Sequence, residues 1–224
     1  VTTLLFLAIF TLALGGAGRM VGGVDFALFL APGLIMMSIV QNAFANTSSS
    51  IVIAKVQGNI VDVLMPPLSP GELTLGFAAG GVTRGLMVGL AVGLGMWIFV
   101  PITIHNPLFI LYHGVMAALM LALLGLIGGI WAEKFDHIAA VTNFVITPFS
   151  FLSGTFYSIE RLPAAWQVAA HFNPFFYMID GFRYGFIGHA DSSLLLGVAV
   201  MAGFNLFLWT LTYRMFATGY RLKP

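Results

Sequence analysis

The stretch NPFFYMIDGFRYGFIGHADSS, residues 173–193, places Asp180 and Arg183 among six phenylalanine and tyrosine side chains. The two charged residues are three positions apart, so on a helix they share a face and can form an ion pair. Such a pair either ties the structure together or contacts a bound ligand. The aromatic residues predict either a belt at the lipid headgroups or a gate for a lipid- or sugar-bearing substrate, and the candidates are Phe175, Phe176, Tyr177 and Tyr184.

The composition indicates which kind of chain surrounds this stretch. The 224 residues are 59% hydrophobic and 8% charged, with a mean hydropathy of +0.99, whereas soluble domains carry about 25% charged residues. The outer surface must therefore face lipid. A net charge of +1 gives no reason to expect nucleic-acid binding, and the absence of cysteine excludes disulfides, cysteine-ligated zinc and cysteine nucleophiles.

Apolar runs predict an all-α integral membrane protein, a single transmembrane domain over residues 1–224 with six spans. The spans lie at about 1–14, 26–45, 76–100, 108–131, 138–157 and 194–216. Polar residues from Gln41 to Ser50 mark the predicted end of the second span. Arg84 is placed near the start of the third, within reach of the interface, and Pro148 is expected to kink the fifth. The first run is short and has no initiator Met, so we expect the beginning of that span to be missing.

Residues 51–72, between the second and third spans, form the first informative polar stretch. Apolar residues recur there at helical spacing, which predicts a short amphipathic helix over 55–64 that Pro66-Pro67 ends. Ser69-Pro70-Gly71-Glu72 has the form of a capping box and predicts the start of a new helix. The residues of interest in the amphipathic helix are Lys55, Val56, Asn59, Ile60, Asp62 and Leu64.

The third predicted span has a glycine at every fourth position. Small residues at this spacing allow close contact between helices in lipid, so we interpret the ridge as a packing surface rather than a substrate groove. Its members are Gly81, Gly85, Gly89 and Gly93.

Residues 158–193, between the last two spans, are predicted to form a re-entrant helical hairpin that dips into the outer leaflet and returns. Orientation follows the excess of Lys and Arg on the cytoplasmic side. Both termini are then cytoplasmic, with Lys55, Lys134, Arg214, Arg221 and Lys223 on that side and Arg19, Arg161 and Arg183 on the other.

Several chemistries are not supported by any motif. There is no GxxxxGK[ST] sequence for nucleotide binding, and the five histidines lack metal-ligand spacing. We therefore predict no catalytic residues, no metal site and no cofactor in this chain. The acidic residues fall in loops, in the 51–72 stretch or in the hairpin, which disfavours an ion-coupled transporter.

Three segments resemble the permease subunit of ABC transporter type-2 exporters, which move polysaccharides, lipo-oligosaccharides or drugs. They are FLAPGLIMMSI at 29–39, KVQGNIVDVLMPPLSPGEL at 55–73 and the long segment 144–186, FVITPFSFLSGTFYSIERLPAAWQVAAHFNPFFYMIDGFRYGF. The resemblance implies six spans, the re-entrant hairpin and a pair of permease copies. We expect the two copies to be identical, so that they form a homodimer, and we expect membrane lipid to surround it. The resemblance also implies an amphipathic cytoplasmic helix before the first span, which this sequence lacks.

The resemblance further implies that each copy binds a separate ABC ATPase subunit, which holds ATP and Mg²⁺, through a coupling helix at 55–64. We therefore expect a multi-pass permease of the bacterial inner membrane that exports a lipid-, glycan- or drug-like substrate. The alternative is an ion-coupled secondary transporter. A membrane enzyme or scaffold that moves nothing is a third hypothesis, and co-purification of an ATPase separates the first from both others.

Overall fold

The computed structural model describes residues 2–14, 20–21, 23–157 and 163–222. The regular secondary structure of these residues is helical apart from one short hairpin, in which Met20–Val21 (β1) pairs antiparallel with Val24–Asp25 (β2). The helices are α1 Thr2–Leu14, α2 Phe26–Val56, α3 Ile60–Leu64, α4 Pro70–Trp97, α5 Pro107–Trp131, α6 Phe135–Val141, α7 Thr147–Leu152, α8 Ala164–His171, α9 Pro174–Ile187 and α10 Leu194–Thr218. A π-helix, Thr142–Ile146, joins α6 to α7, and we call Phe135–Leu152 the α6–α7 segment.

Among the described residues, five helical segments are long and apolar enough to cross a membrane. They are α2, α4, α5, the α6–α7 segment and α10, while α1 is apolar but shorter. The prediction of an all-α membrane protein is therefore confirmed. Arg19, Arg161 and Lys223, which entered the orientation argument, and residues 158–162 of the predicted hairpin lie outside the described residues.

Polar side chains at the helix starts explain where several helices begin. Asp25 caps α2 by accepting a hydrogen bond from the Ala27 N–H, and Asn106 caps α5 through the Leu108 and Phe109 N–H groups. Ser69 and Glu72 form the predicted capping box, with Pro70 as the first residue of α4. Each cap satisfies backbone donors that the first helical turn leaves free.

The polar run after Gln41, which was predicted to mark the end of the second span, does not end the helix. The helix continues without interruption to Val56 and is 31 residues long. Serine and threonine hydroxyls return hydrogen bonds to carbonyls one turn earlier, for example from Ser48 to Phe44 at 2.7 Å and from Ser50 to Asn46 at 2.7 Å. Because these groups are satisfied within the helix, they do not need water.

Arg84 lies near the middle of its helix. Helix α4 begins at Pro70, as the capping box predicts, so Arg84 lies fourteen residues from its start and thirteen from its end. Its side chain is exposed.

Helices α2, α5 and α9 form the centre of the molecule. The most strongly buried face of α2 packs on α5, where Thr47 Oγ1 donates to the Ala122 carbonyl at 2.8 Å. The α6–α7 segment has little of its surface buried. Its π-helix directly precedes Pro148, whose missing N–H removes one α-helical hydrogen bond.

Candidate functional site

The predicted coupling helix is not one helix in the structure. Lys55 and Val56 are the last residues of α2, Gly58 adopts a left-handed conformation (φ 76°), and α3 begins only at Ile60. A glycine accommodates this φ without a Cβ clash, so the chain turns sharply between the two helices. The apolar residues do recur at helical spacing in the sequence, but the turn at Gly58 divides the predicted helix into the end of α2 and a separate α3.

The six candidate residues of this segment have different surroundings. Lys55 Nζ donates to the carbonyls of Ile130 at 2.8 Å and Ala132 at 2.6 Å, so it caps the end of α5. Ile60 is buried, at 6% exposure, and Leu64 is half-buried. Val56, Asn59 and Asp62 are exposed.

An exposed apolar patch lies at this same end of the molecule. We call it the coupling surface, and its members are Val56, Val61, Met65 and Leu68. Val56 is 57% exposed and Met65 is 75% exposed. Sequence analysis did not select Val61, Met65 or Leu68, because it considered only the apolar face of one continuous helix over 55–64.

Aromatic residues of the predicted hairpin are largely buried inside the protein. Phe175, Phe176 and Tyr177 are at most 5% exposed, which contradicts a belt at the headgroups. Helix α9 packs against α5, α10 and α2 and thereby belongs to the core. Tyr184 is half-buried, with its ring 5.4 Å from that of His105 and 5.0 Å from that of Phe109.

The expected ion pair between Asp180 and Arg183 is not formed; no salt bridge between the described residues joins them. Asp180 instead accepts hydrogen bonds from the Asp191 N–H (2.7 Å), the Ser192 N–H (3.1 Å) and the Ser192 hydroxyl (2.6 Å). Arg183 Nη2 donates to the Gly154 carbonyl at 2.6 Å, and its guanidinium lies 3.9 Å from the centre of the Phe29 ring. Each side chain therefore fastens α9 to a different segment.

Burial dominates the electrostatics of both residues. Desolvation raises the pKa of the Asp180 carboxyl, and the hydrogen bonds from Ser192 and Asp191 act in the opposite direction. Desolvation also lowers the pKa of Arg183, to about 10, while Asp191 and Asp180 oppose that shift. Both groups serve to hold α9 in place.

Replacing Asp180 by alanine is expected to lower the free energy of unfolding by about 3 kcal/mol, because two backbone N–H groups and one hydroxyl at half-buried residues lose their charged acceptor. The melting temperature of the purified protein in detergent measures this effect. Asp136→Ala, at an exposed position at the start of α6, is the matched control and should leave it unchanged. Equal melting temperatures for Asp180→Ala and the unmodified protein would contradict the assignment.

The glycine ridge of α4 faces α2. A Cβ at Gly85 would lie 2.8 Å from the Ile39 carbonyl oxygen, and one at Gly81 would lie 2.7 Å from the Thr47 methyl group. A Cβ at Gly89 would overlap the Ile39 side chain, while one at Gly93 would only touch Ile35 at 3.6 Å. The close contact therefore involves three of the four glycines.

A set of polar side chains lies near the middle of the span helices, although sequence analysis assigned Arg84 and the polar run from Gln41 to span ends. Gln41 lies fifteen residues from each end of α2, and Asn143 lies near the middle of the α6–α7 segment. Together with Arg84 these side chains are exposed, and Asn42 and Asn46 beside them are half-exposed. We call these five residues the mid-membrane polar face. The capping box at Ser69 predicts that α4 begins at Pro70, and a helix that begins there has Arg84 near its middle.

A contrasting residue shows that mid-span polarity alone is not informative. Asn205 also lies near the middle of its helix, α10, but it is buried and donates to the carbonyls of Met116 and Met201 at 3.0 and 2.9 Å. It therefore joins α10 to α5. The five residues of the mid-membrane polar face differ because they point away from the core.

Two cavities adjoin these helices. One, of about 290 Å³, separates α2 from the α6–α7 segment and has Gln41, Ser48, Ser49 and Thr142 in its lining. The other, of about 280 Å³, is a wholly apolar groove between α4, α5 and α9, with Leu90, Trp97, Ile110 and Phe186 among its walls. The residues around the first cavity include polar ones, whereas those around the second are apolar.

Comparison with known proteins gives matches over most of the chain. The family model described as ABC-2 type transporter matches residues 1–187. The inner membrane transport permease YadH of Escherichia coli (strain K12) is 41% identical over 218 residues, which cover 96% of this chain and 85% of that protein. Nodulation protein J of Rhizobium leguminosarum bv. viciae is 29% identical over 194 residues, covering 83% of this chain and 73% of that protein.

Proposed function

The chain belongs to the ABC-2 type transporter family, and on this premise we propose that it is the membrane-spanning subunit of an ATP-driven exporter. It is a transport permease of the inner membrane and not an enzyme. A separate ABC ATPase subunit would bind ATP and Mg²⁺ and supply the energy. The substrate would be lipid-, glycan- or drug-like and would leave the cytoplasm or the inner leaflet.

The proposed topology has six spans, with α1 as the first, and both termini in the cytoplasm. Helices α8 and α9, within residues 158–193, would form the re-entrant hairpin on the extracytoplasmic side. The interruption of the chain at Asn173-Pro174 and the left-handed Gly188 that ends α9 support a short helix that returns to the surface it came from. The coupling surface would then lie in the cytoplasm.

The observation that supports a transport path is the mid-membrane polar face. An amide or guanidinium exposed to hydrocarbon would be costly, so such groups face water, substrate or another protein surface. We propose that this face lines the path, at the contact between two copies of the permease, and that lipid covers the apolar surfaces elsewhere. Gly81, Gly85 and Gly89 would keep α4 fixed to α2 as the path opens and closes.

Energy would reach this path through the coupling surface. Val56 belongs to α2, which contributes Gln41, Asn42 and Asn46 to the polar face. Lys55 fastens the end of α2 to α5. A push on the coupling surface by the ATPase would therefore move α2 and the end of α5 together.

The deciding experiment is co-purification of the full-length permease with the ATPase encoded beside it. We expect a stable complex in which the permease stimulates ATP hydrolysis. An inserted, folded permease that binds no ATPase would refute the proposal and favour the ion-coupled transporter, for which transport in vesicles would depend on an ion gradient.

Replacing Gln41 and Asn143 together by leucine is expected to reduce permease-stimulated ATP hydrolysis in native-lipid vesicles at least about tenfold, because an apolar path no longer hydrates a polar substrate. Co-purification with the ATPase should be unaffected. Thr210→Leu, which removes an exposed hydroxyl from α10, is the control. Normal stimulation by the double variant would remove Gln41 and Asn143 from the path.

A further inference from the structure

Arg84 is an exposed cation near the middle of the candidate span α4, and no described residue forms an ion pair with it. Helix α4 has 28 residues and is about 42 Å long, whereas the hydrocarbon core is about 30 Å thick. Glu72 lies in the first turn and Trp97 is the last residue, and a hydrocarbon core centred on this helix would place Arg84 roughly 15 Å from either edge. Arginines that reach the interface by extending their side chains lie near helix ends.

The immediate surroundings of Arg84 leave most of its hydrogen-bonding capacity free. Its Nη1 donates to Asn46 Oδ1 at 3.3 Å, and no ion pair among the described residues includes it. A guanidinium has five N–H donors in a planar fork that matches a phosphate or carboxylate. Arg183 provides the contrast, because it is buried and bound to the Gly154 carbonyl.

Space and chemistry around the guanidinium suit an amphiphile. One turn earlier, Gly80 leaves the approach open, since a Cβ there would meet only the Asn46 amide, at 3.6 Å. One turn later, Met87 is 66% exposed and offers an apolar surface on the same helix face. An anionic group at Arg84 would therefore have an apolar chain beside it.

We propose that Arg84 and Asn46 form a binding site for the phosphate or carboxylate group of an amphiphile at mid-membrane depth. This inference rests on the proposed function only in assigning the site to the transport path. The amphiphile has two possible sources, a molecule in transit or a resident anionic lipid of the bilayer, and both present the same chemistry to the guanidinium.

The test measures binding of radiolabelled dodecyl phosphate to the full chain in phosphatidylcholine nanodiscs. Arg84→Gln should weaken binding at least about tenfold. Arg84→Lys should retain part of the affinity, because it keeps the charge but not the fork. Arg214→Gln, at an exposed arginine near the end of α10, and the neutral probe dodecyl maltoside are the controls, and neither should show a change.

A second variant keeps Arg84 and changes Asn46, the other residue of the proposed site. Asn46→Asp places a carboxylate beside Arg84, so it should compete with dodecyl phosphate and reduce its binding as strongly as Arg84→Gln does. Undiminished binding by Arg84→Gln, or an equal loss of dodecyl maltoside, would overturn the proposal. Undiminished binding by Asn46→Asp would overturn it as well.

Two further arms identify the source of the amphiphile. Release of bound dodecyl phosphate when ATP is added to the complex with the ATPase indicates a molecule in transit. Retention with ATP, together with displacement by phosphatidylglycerol in the nanodisc, indicates a resident lipid. Arginine-dependent binding without any ATPase complex would refute the exporter proposal alone, whereas an ATPase complex without such binding would refute this inference alone.

Discussion

Replacing Gly125 by leucine is expected to abolish the folded permease. A Cβ at this position would lie 2.6 Å from the Phe44 carbonyl oxygen and would overlap Thr47 Oγ1. The same hydroxyl bonds to the Ala122 carbonyl, so the side chain would separate α2 from α5 and break that bond. Overpacking a rigid contact costs about 3 kcal/mol, and the α2–α5 contact is the most extensive in the molecule.

The measurement is the yield of monodisperse protein after extraction in detergent, with the melting temperature of whatever remains. Gly203→Leu is the matched control, because Gly203 also lies in an apolar 25-residue span and a Cβ there would meet nothing within 4 Å. It should be produced at the normal level. Equal yields of the two variants would mean that α2 and α5 do not pack as described.

Helix starts could be predicted from the sequence because their causes are local. The capping box of Ser69 and Glu72 involves residues three apart, and Pro70 favours the first helical position for a reason contained in its own ring. Asn106 and Asn173 likewise cap helices whose first residue is proline. Composition was likewise sufficient to predict an integral membrane protein, since the chain has too few charged residues to cover the surface of a soluble protein.

Helix ends were predicted less well, because a polar residue in a membrane helix can be satisfied inside the helix or exposed on its surface. The hydroxyls after Asn46 are satisfied inside α2 and do not end the helix, whereas Gln41 and Arg84 are exposed near the middle of their helices. Nothing in the local sequence separates these cases. The difference depends on which face of each helix packs against its neighbours.

The hydrogen-bond partners of Asp180 and Arg183 could not be predicted either. Asp180 and Arg183 share a helix face by spacing, but Gly154 and the Asp191–Ser192 backbone, brought close by the fold, hold them instead. Backbone groups of distant loops carry no sequence signal. The same limitation hid Lys55 as a cap of α5, because the carbonyls that it binds lie 75 and 77 residues away.

Val56→Asp is expected to abolish co-purification with the ATPase, with an affinity loss of at least about 100-fold, while the permease still folds and inserts. An aspartate in the middle of an apolar docking patch must give up its hydration when the partner covers it. Because Val56 is 57% exposed, the change leaves the core intact. A pull-down from membranes with equal amounts of inserted permease measures the effect.

Two variants make this prediction specific to the coupling surface. Ile104→Asp puts the same charge on a side chain that is 56% exposed, in the loop that follows the opposite end of α4. The ATPase should co-purify normally with this variant. Ile60→Asp, by contrast, should lower permease stability, since Ile60 is buried beneath the surface and cannot report on docking alone. Retention of the ATPase by Val56→Asp would exclude the end of α2 from the interface. Loss with Ile104→Asp as well would mean that the charge acts through folding.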